Sequence, residues 1–375
     1  MKIGILGDLF IEPTLLPRME FDGKLVEKMA GLDLNIVNLE SPVVSGPEPG
    51  KIFKTGPHLK TGSKIYDVLR LLNVDVLTLA NNHILDYGEE GLRQTLESSA
   101  ANGFKSVGAG MDLDRASEPL LLSFDCLKIA IVNFCENEWS TASKEKGGAN
   151  PMDVVRNVRQ IRMAREGADF VLAIIHGGHE RYRLPSPRMV EQYRFYAESG
   201  ADMVVGHHSH CFSGYEIHGE TPIFYSLGNM LFTYETDFEG WYSGLMIVAD
   251  IGKGKKVSFE VESLWYDRSR SKLRLAEPEE EREMRGELEW LNAVVGDSEE
   301  LEKSWATYVD ENSGVLDAFS PFASLKGRYA RAFFRRLRVN EFLLNRKEYI
   351  GPILNRVRCE AHRDLVIAQA KKRLE

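Results

Sequence analysis

Short apolar runs alternate with amphipathic stretches through the first two-thirds of the chain. Residues 3–6, 34–37, 74–79, 170–175 and 203–205 are short, largely apolar runs, the pattern of buried strands. Between them come stretches with helical spacing at residues 24–30, 63–72, 90–102, 152–166 and 188–199. In the second of these, Ile65, Val68, Leu69 and Leu72 form one face. Residues 120–124 and 128–133 pair as strands around Asp125 and Cys126. The alternation predicts an α/β fold with buried, largely parallel strands. After Gly206 the helical spacing stops. Strands are predicted at 215–217, 222–227, 244–250 and 256–265, separated by Gly-rich turns, as an antiparallel part of a second sheet. Two stacked sheets with outer helices account for both textures.

Past residue 266 the composition shifts. Residues 277–311 are rich in Glu, and residues 326–375 in Arg and Lys, including Arg328, Arg331, Arg335, Arg336, Arg338, Lys371, Lys372 and Arg373. Helical patterning continues through Leu337, Phe342, Leu343 and Leu344. The chain therefore divides into a domain over residues 1–266 and a helical extension over 267–375, acidic and then basic. The two charge blocks read as solvated faces that complement each other. A basic surface for a phosphate-bearing partner is the sharper alternative.

The 375 residues are 43% hydrophobic and 27% charged, as in a soluble globular protein, and carry a net charge of −9. That charge argues against attraction of the whole protein to nucleic acid or to an anionic membrane. No apolar stretch reaches the length of a membrane span, and residues 3–6 are too short for a signal sequence, so a cytoplasmic protein is expected. Cys126, Cys135, Cys211 and Cys359 lack metal-type spacing and read as free thiols in a reducing compartment.

Three of the nine histidines fall within Gly206-His207-His208-Ser209-His210, directly after the apolar run 203–205. On an extended backbone His208 and His210 point to one side, as half of a metal site, and His207 to the other, as a structural residue. Other strand ends offer further ligands: Gly7-Asp8, Asn38-Leu39-Glu40, Asn81-Asn82-His83 and His176-Gly177-Gly178-His179-Glu180. Ligands of open α/β sheets bind beyond the carboxyl ends of strands. Taken singly, Asp8 also fits a helix cap, and Asn81 and Asn82 fit a turn. Taken together, five polar strand ends are costly to bury without a shared partner. Mixed imidazole, amide and carboxylate ligation suits Mn, Fe or Zn.

The series Gly7-Asp8, Asn38-Leu39-Glu40-Ser41-Pro42, Ala80-Asn81-Asn82-His83-x-x-Asp86-Tyr87-Gly88, Gly108-Ala109-Gly110, His176-Gly177-Gly178-x-Glu180, Gly206-His207-His208-x-His210 and Tyr225-Ser226-Leu227-Gly228-Asn229 resembles the CapA family. That family is associated with poly-γ-glutamate capsule synthesis and is similar to the calcineurin-like metallophosphoesterases. The resemblance covers about residues 1–265. It implies a four-layer α-β-β-α sandwich with two divalent metal ions at one end. It further implies Asp8 and His210 at the first ion, Glu40 between the two, and Asn82, His176 and His208 at the second. His83 becomes the general acid, or the group that stabilises charge on the leaving side, with Asp86 as its orienting partner. The chemistry implied is hydrolysis by two ions about 3.5–4 Å apart. The substrate would be an anionic polymer, a γ-glutamyl peptide or a phosphoester, and the partners capsule or cell-wall synthesis proteins. The alternative is a non-catalytic metal-binding accessory of polymer synthesis. Two departures from the phosphoesterase pattern stand out: Phe10 occupies the position of a ligating His, and Glu40 that of a bridging Asp.

Substrate contacts are expected from Lys54, on the Gly/Pro-rich loop 47–62, from Glu180, and from Asn229 after a strand.

Overall fold

The computed structural model describes residues 1–125, 127–319, 344 and 346–374. Cys126 and the basic residues Arg328, Arg331, Arg335, Arg336 and Arg338 lie outside the described residues, as do Leu337, Phe342 and Leu343.

Two sheets carry the fold. In the first, Lys2–Phe10, Leu34–Leu39, Val76–Thr78 and Lys105–Val107 run parallel in that order. On the other side of Lys2–Phe10 come Ser243–Asp250, Ser258–Asp267 and Lys272–Leu275, each antiparallel to its neighbour. The second sheet has the order Tyr215–His218, Thr221–Phe224, Met203–His207, Phe170–His176, Leu127–Cys135, Leu120–Phe124. The antiparallel run expected in the second sheet is thus split between the two. Residues 243–275 extend the first sheet because Ser243–Asp250 pairs with Lys2–Phe10, from Lys2 opposite Asp250 to Leu6 opposite Met246.

The central strands Lys2–Phe10, Leu34–Leu39 and Val76–Thr78 of the first sheet are buried on both faces, and period-2 alternation sorts their side chains. Ile3, Ile5, Ile36 and Val76 face inward and pack with Ile129, Ile131 and Leu172 of the second sheet in one core. Their neighbours Leu6, Val37 and Leu77 face outward against Leu25, Ile65, Leu69 and Leu92 of the covering helices. On the far side of the second sheet lie helices Val154–Gly167 and Pro187–Glu198, through Val158, Ile161, Tyr193 and Tyr196. Local chemistry sets their starts. Asp153 accepts from the backbone N–H of Arg156 at 3.0 Å, and Ser186 precedes Pro187 at the first helical position. The result is helix, sheet, sheet, helix, the sandwich that the strand pattern predicts.

The first compact unit runs from Met1 to Glu302, past the composition shift at residue 266. It includes helix Pro278–Gly296, whose Met284, Leu288, Leu291, Val294 and Val295 are buried in the core shared with the second sheet. Asn292 Oδ1 accepts from the backbone N–H of Tyr215 at 2.7 Å, and Arg274 meets Glu280 through two bonds of 2.6 and 2.7 Å. The second unit, Lys303–Glu375, contains helices Lys347–Arg358 and Glu360–Leu374 among its described residues. No helix among the described residues is long and apolar enough to cross a membrane.

Candidate functional site

Asp8 lies within its strand, not at the end. Pairing with Leu34–Leu39 steps from Leu6–Val37 to Asp8–Asn38 and leaves Gly7 unpaired, a bulge that re-aims the next side chain. Glycine is required there: a Cβ at Gly7 would stand 1.9 Å from the carbonyl oxygen of Gly228. Asp8 is fully buried; its Oδ1 accepts from Asn38 Nδ2 at 2.6 Å and its Oδ2 from the backbone N–H of His208 at 3.0 Å.

The backbone at the histidine cluster departs from the extended conformation expected of it. Met203–His207 ends at His207, and His208 and His210 take φ of +89° and +57°. The left-handed region is costly for residues with a Cβ, on the order of 1–3 kcal/mol each. Both rings nevertheless enter the same cluster, because this turn, and not strand alternation, aims them. His207 also approaches it, with Nδ1 3.3 Å from Asp8 Oδ1.

Two groupings share Glu40. One consists of Glu40, His176 and His208, the other of Asp8, Glu40 and His210, all buried. His176 Nε2 lies 3.5 Å from Glu40 Oε1, 3.1 Å from Asn82 Oδ1 and 3.1 Å from His208 Nδ1. His210 Nε2 lies 3.8 Å from the same Glu40 oxygen. Among the described residues neither carboxylate oxygen of Glu40 has a hydrogen-bond partner, although both are buried. An anionic group left in that state is costly unless a cation completes it. The donor set therefore fits divalent ions.

Behind the inward-facing atoms stand second partners. His176 Nδ1 lies 3.2 Å from Asn38 Nδ2. His210 Nδ1 lies 2.9 Å from Asn229 Oδ1, while Asn229 Nδ2 donates to the carbonyl of Trp241 at 2.9 Å. Asn229, the expected substrate contact, is thus buried beneath His210. His210 is also packed on Trp241 and Phe232, with ring centroids 4.2 and 4.7 Å away, and Phe10 lies against Phe232 at 5.1 Å. The position where the phosphoesterase pattern has an imidazole is therefore part of an aromatic wall.

Burial governs the protonation of these groups, modified by their neighbours. Burial and the charge of Asp8 push Glu40 up to about 7. Burial opposes a charge on His176, but Glu40 and Asp8 outweigh it and hold the ring up to about 10. At His208 burial is likewise outweighed, by Glu136, giving about 9. At His210 burial wins: Asp8 and the bond to Asn229 offset it only in part, His208 and His176 add to it, and the ring is driven down to about 3.

His83 and Asp86 lie within hydrogen-bond distance, with Nδ1 2.7 Å from Oδ2. Asp86 also accepts from the backbone N–H of Leu59 at 2.6 Å and is ion-paired with Lys54. Lys54 is itself buried, its side chain only 3% exposed, and its Nζ lies 3.1 Å from His83 Nδ1. Its ammonium offsets the charge of Asp86. Burial lowers the pKa of His83, with Lys54 opposing the influence of Asp86. Glu180 is exposed and belongs to neither of the groupings around Glu40.

Glu136 has no counterpart in the sequence reading. Its Oε1 lies 2.8 Å from His208 Nε2, and Glu138 Oε1 lies 4.0 Å from the same atom. Burial favours the neutral acid, yet His208 pulls Glu136 down to about 2. The signal was available: Glu136 follows the last residue of Leu127–Cys135, so the strand-end rule reaches it once that strand is extended past Asn133.

Fold and site together define a two-sheet α/β sandwich protein with a buried carboxylate–imidazole centre at the strand ends. The chain belongs to the family of bacterial capsule synthesis proteins PGA_cap, whose model matches residues 18–234, in agreement with the motif series. It is 34% identical over 187 residues to the PGA biosynthesis protein CapA of Bacillus subtilis, covering 49% of this chain and 48% of that one. It is 29% identical over 190 residues to the capsule biosynthesis protein CapA of Bacillus anthracis, covering 49% and 45%. The chain thus spans about half the length of these curated relatives. A solved phosphatase from Mycoplasma pneumoniae matches with a TM-score of 0.44 and 16% identity, over 72% of this chain and 95% of that one.

Proposed function

We propose that the protein is a hydrolase dependent on two divalent ions (Mn, Fe or Zn), acting on an anionic polymer, a γ-glutamyl peptide or a phosphoester in capsule or cell-wall polymer metabolism. The observation that carries this reading is Glu40, whose two buried oxygens have no hydrogen-bond partner among the described residues and which belongs both to a grouping with His176 and His208 and to one with Asp8 and His210. In this reading Glu40 is shared, Asn82, His176 and His208 complete one ion, and Asp8 and His210 the other. Bound there, the ions would acidify a water and stabilise negative charge that develops on the substrate. His83 manages the proton. A carboxylate 2.7 Å from Nδ1 keeps the hydrogen on that nitrogen, which leaves Nε2 free to take up a proton and return it to the leaving group. Asp86 orients the ring, and Lys54 offsets its charge so that the imidazole can remain neutral between turnovers.

The aromatic wall at Phe10 supports the second reading, a metal-binding accessory of polymer synthesis without turnover, since it leaves the Asp8 grouping with a single imidazole.

The test is metal analysis of the purified chain, followed by assay of Mn- and Zn-loaded protein on γ-glutamyl peptides and generic phosphoesters. Expected are two ions per chain, turnover by wild type, loss of about 10²–10⁴-fold in His83→Ala with metal retained, and loss of metal in His208→Ala. Two bound ions with wild type and His83→Ala equally inert would select the accessory reading. No bound ion under any loading condition would refute both.

A further inference from the structure

His208 has two ring nitrogens and two competing claims on them. Nδ1 faces the grouping with Glu40, 3.1 Å from His176 Nε2, which in turn lies 3.1 Å from Asn82 Oδ1. Nε2 faces Glu136 at 2.8 Å and Glu138 at 4.0 Å, so His208 also belongs to an outer trio with these two carboxylates. A neutral imidazole carries one nitrogen lone pair and one N–H, so only one of the two groupings can receive the lone pair.

Three observations decide between them. The distance of 2.8 Å is that of a charge-assisted hydrogen bond to a carboxylate, whereas 4.0 Å to Glu138 is too long for one. Placing the hydrogen on Nδ1 would aim it at His176 Nε2, among atoms that need a cation. Glu136 is also anchored from behind, because its Oε2 accepts from the backbone N–H of Gly178 at 3.3 Å. The backbone at His208 adds a reason for a tether: at φ +89° the ring leaves a turn just past the end of Met203–His207, so strand alternation does not set its direction.

We infer that Glu136 is a positioning residue for the metal centre: it accepts the Nε2 hydrogen of His208 and so fixes the tautomer whose Nδ1 lone pair faces Glu40, His176 and Asn82. The outer trio is not a third ion site. This inference rests on the metal reading proposed above and adds to it a residue outside the ligand set. Carboxylates that orient ligating histidines in this way typically contribute about 10–100-fold in metal affinity.

The experiment is calorimetric titration of the metal-free, full-length protein with Mn(II) and Zn(II), with melting curves recorded alongside, for wild type, Glu136→Ala and Glu136→Gln. The glutamine amide oxygen still accepts from Nε2. Glu136→Ala is expected to weaken one of the two binding events about 10–100-fold and leave the other in place, with Glu136→Gln recovering part of the loss. Equal affinities in wild type and Glu136→Ala overturn the inference. So does a parallel loss of both events with a lower metal-free melting temperature, which marks a merely structural role. A third ion in wild type that Glu136→Ala loses also overturns it, by making Glu136 a ligand. Wild type that binds no ion would instead refute the metal reading itself. Two ions bound equally by all three proteins would refute the role of Glu136 alone.

Discussion

Among single residues, His210 shows most directly how burial sets chemistry. Packed on Trp241 and Phe232, its ring is driven down to about 3 by burial, and the folded protein refuses a proton that the unfolded chain accepts at about 6.5. Where the unfolded state binds more protons, stability rises with pH. The metal-free protein should therefore lose stability through His210 as pH falls from 6.5 toward 3. Glu40 acts in the opposite direction between 4.5 and 7, since its folded pKa is raised, so the residue's own share requires a variant for reference. Urea unfolding of wild type against His210→Asn at pH 6.5, 5.5 and 4.5 should show wild type falling behind by up to about 1.4 kcal/mol per pH unit. A pH-independent difference would mean that His210 is protonated equally in both states.

At the level of elements, the strand ends were legible and the turns were not. Strands apolar on both faces announce themselves by composition, and the polar residues that follow them marked Glu40, Asn82, His176 and the histidine cluster. Reading Asp8 as a strand end and His208 and His210 as extended was less successful for one reason. Both places depend on backbone departures, a bulge and two left-handed residues, that long-range contacts impose and no local pattern encodes. The same holds for Lys54 and Asn229: their polarity suggested substrate contacts, whereas tertiary packing buries them behind His83 and His210. The bulge offers a test. Gly7→Ala must displace the Gly228 carbonyl, 1.9 Å from the new Cβ, and with it the backbone hydrogen bond of 3.1 Å from Asp8 N to that oxygen. A loss of about 1–3 kcal/mol or more is expected by chemical denaturation, together with weaker metal binding. An unchanged midpoint would show that the Gly228 turn yields freely.

For the whole molecule, the compact unit ending at Glu302 sets where the chain can be cut. Met284, Leu288, Leu291, Val294 and Val295 of helix Pro278–Gly296 are buried in its core, and a buried side chain of this kind contributes about 1.5–3 kcal/mol. A fragment of residues 1–302 should unfold cooperatively and match the 375-residue chain in any metal binding. A fragment of residues 1–266 should be recovered largely as aggregate, because its second sheet would expose that apolar face. Light scattering and calorimetric melting separate the two, and a well-behaved 1–266 fragment would show that the helix is dispensable. The arrangement of the candidate ligands has a consequence of another kind. Asp8 lies in the first sheet, and Glu40 and Asn82 follow its strands; His176 ends a strand of the second sheet, and His208 and His210 follow another, so each grouping around Glu40 joins the two layers. An ion held there is a rivet through the sandwich. By mass action, its free concentration relative to its dissociation constant then sets how firmly the layers stay together, by about 2.7 kcal/mol at a hundredfold excess. On the metal reading proposed above, the supply of the ion would thereby set the stability of the fold.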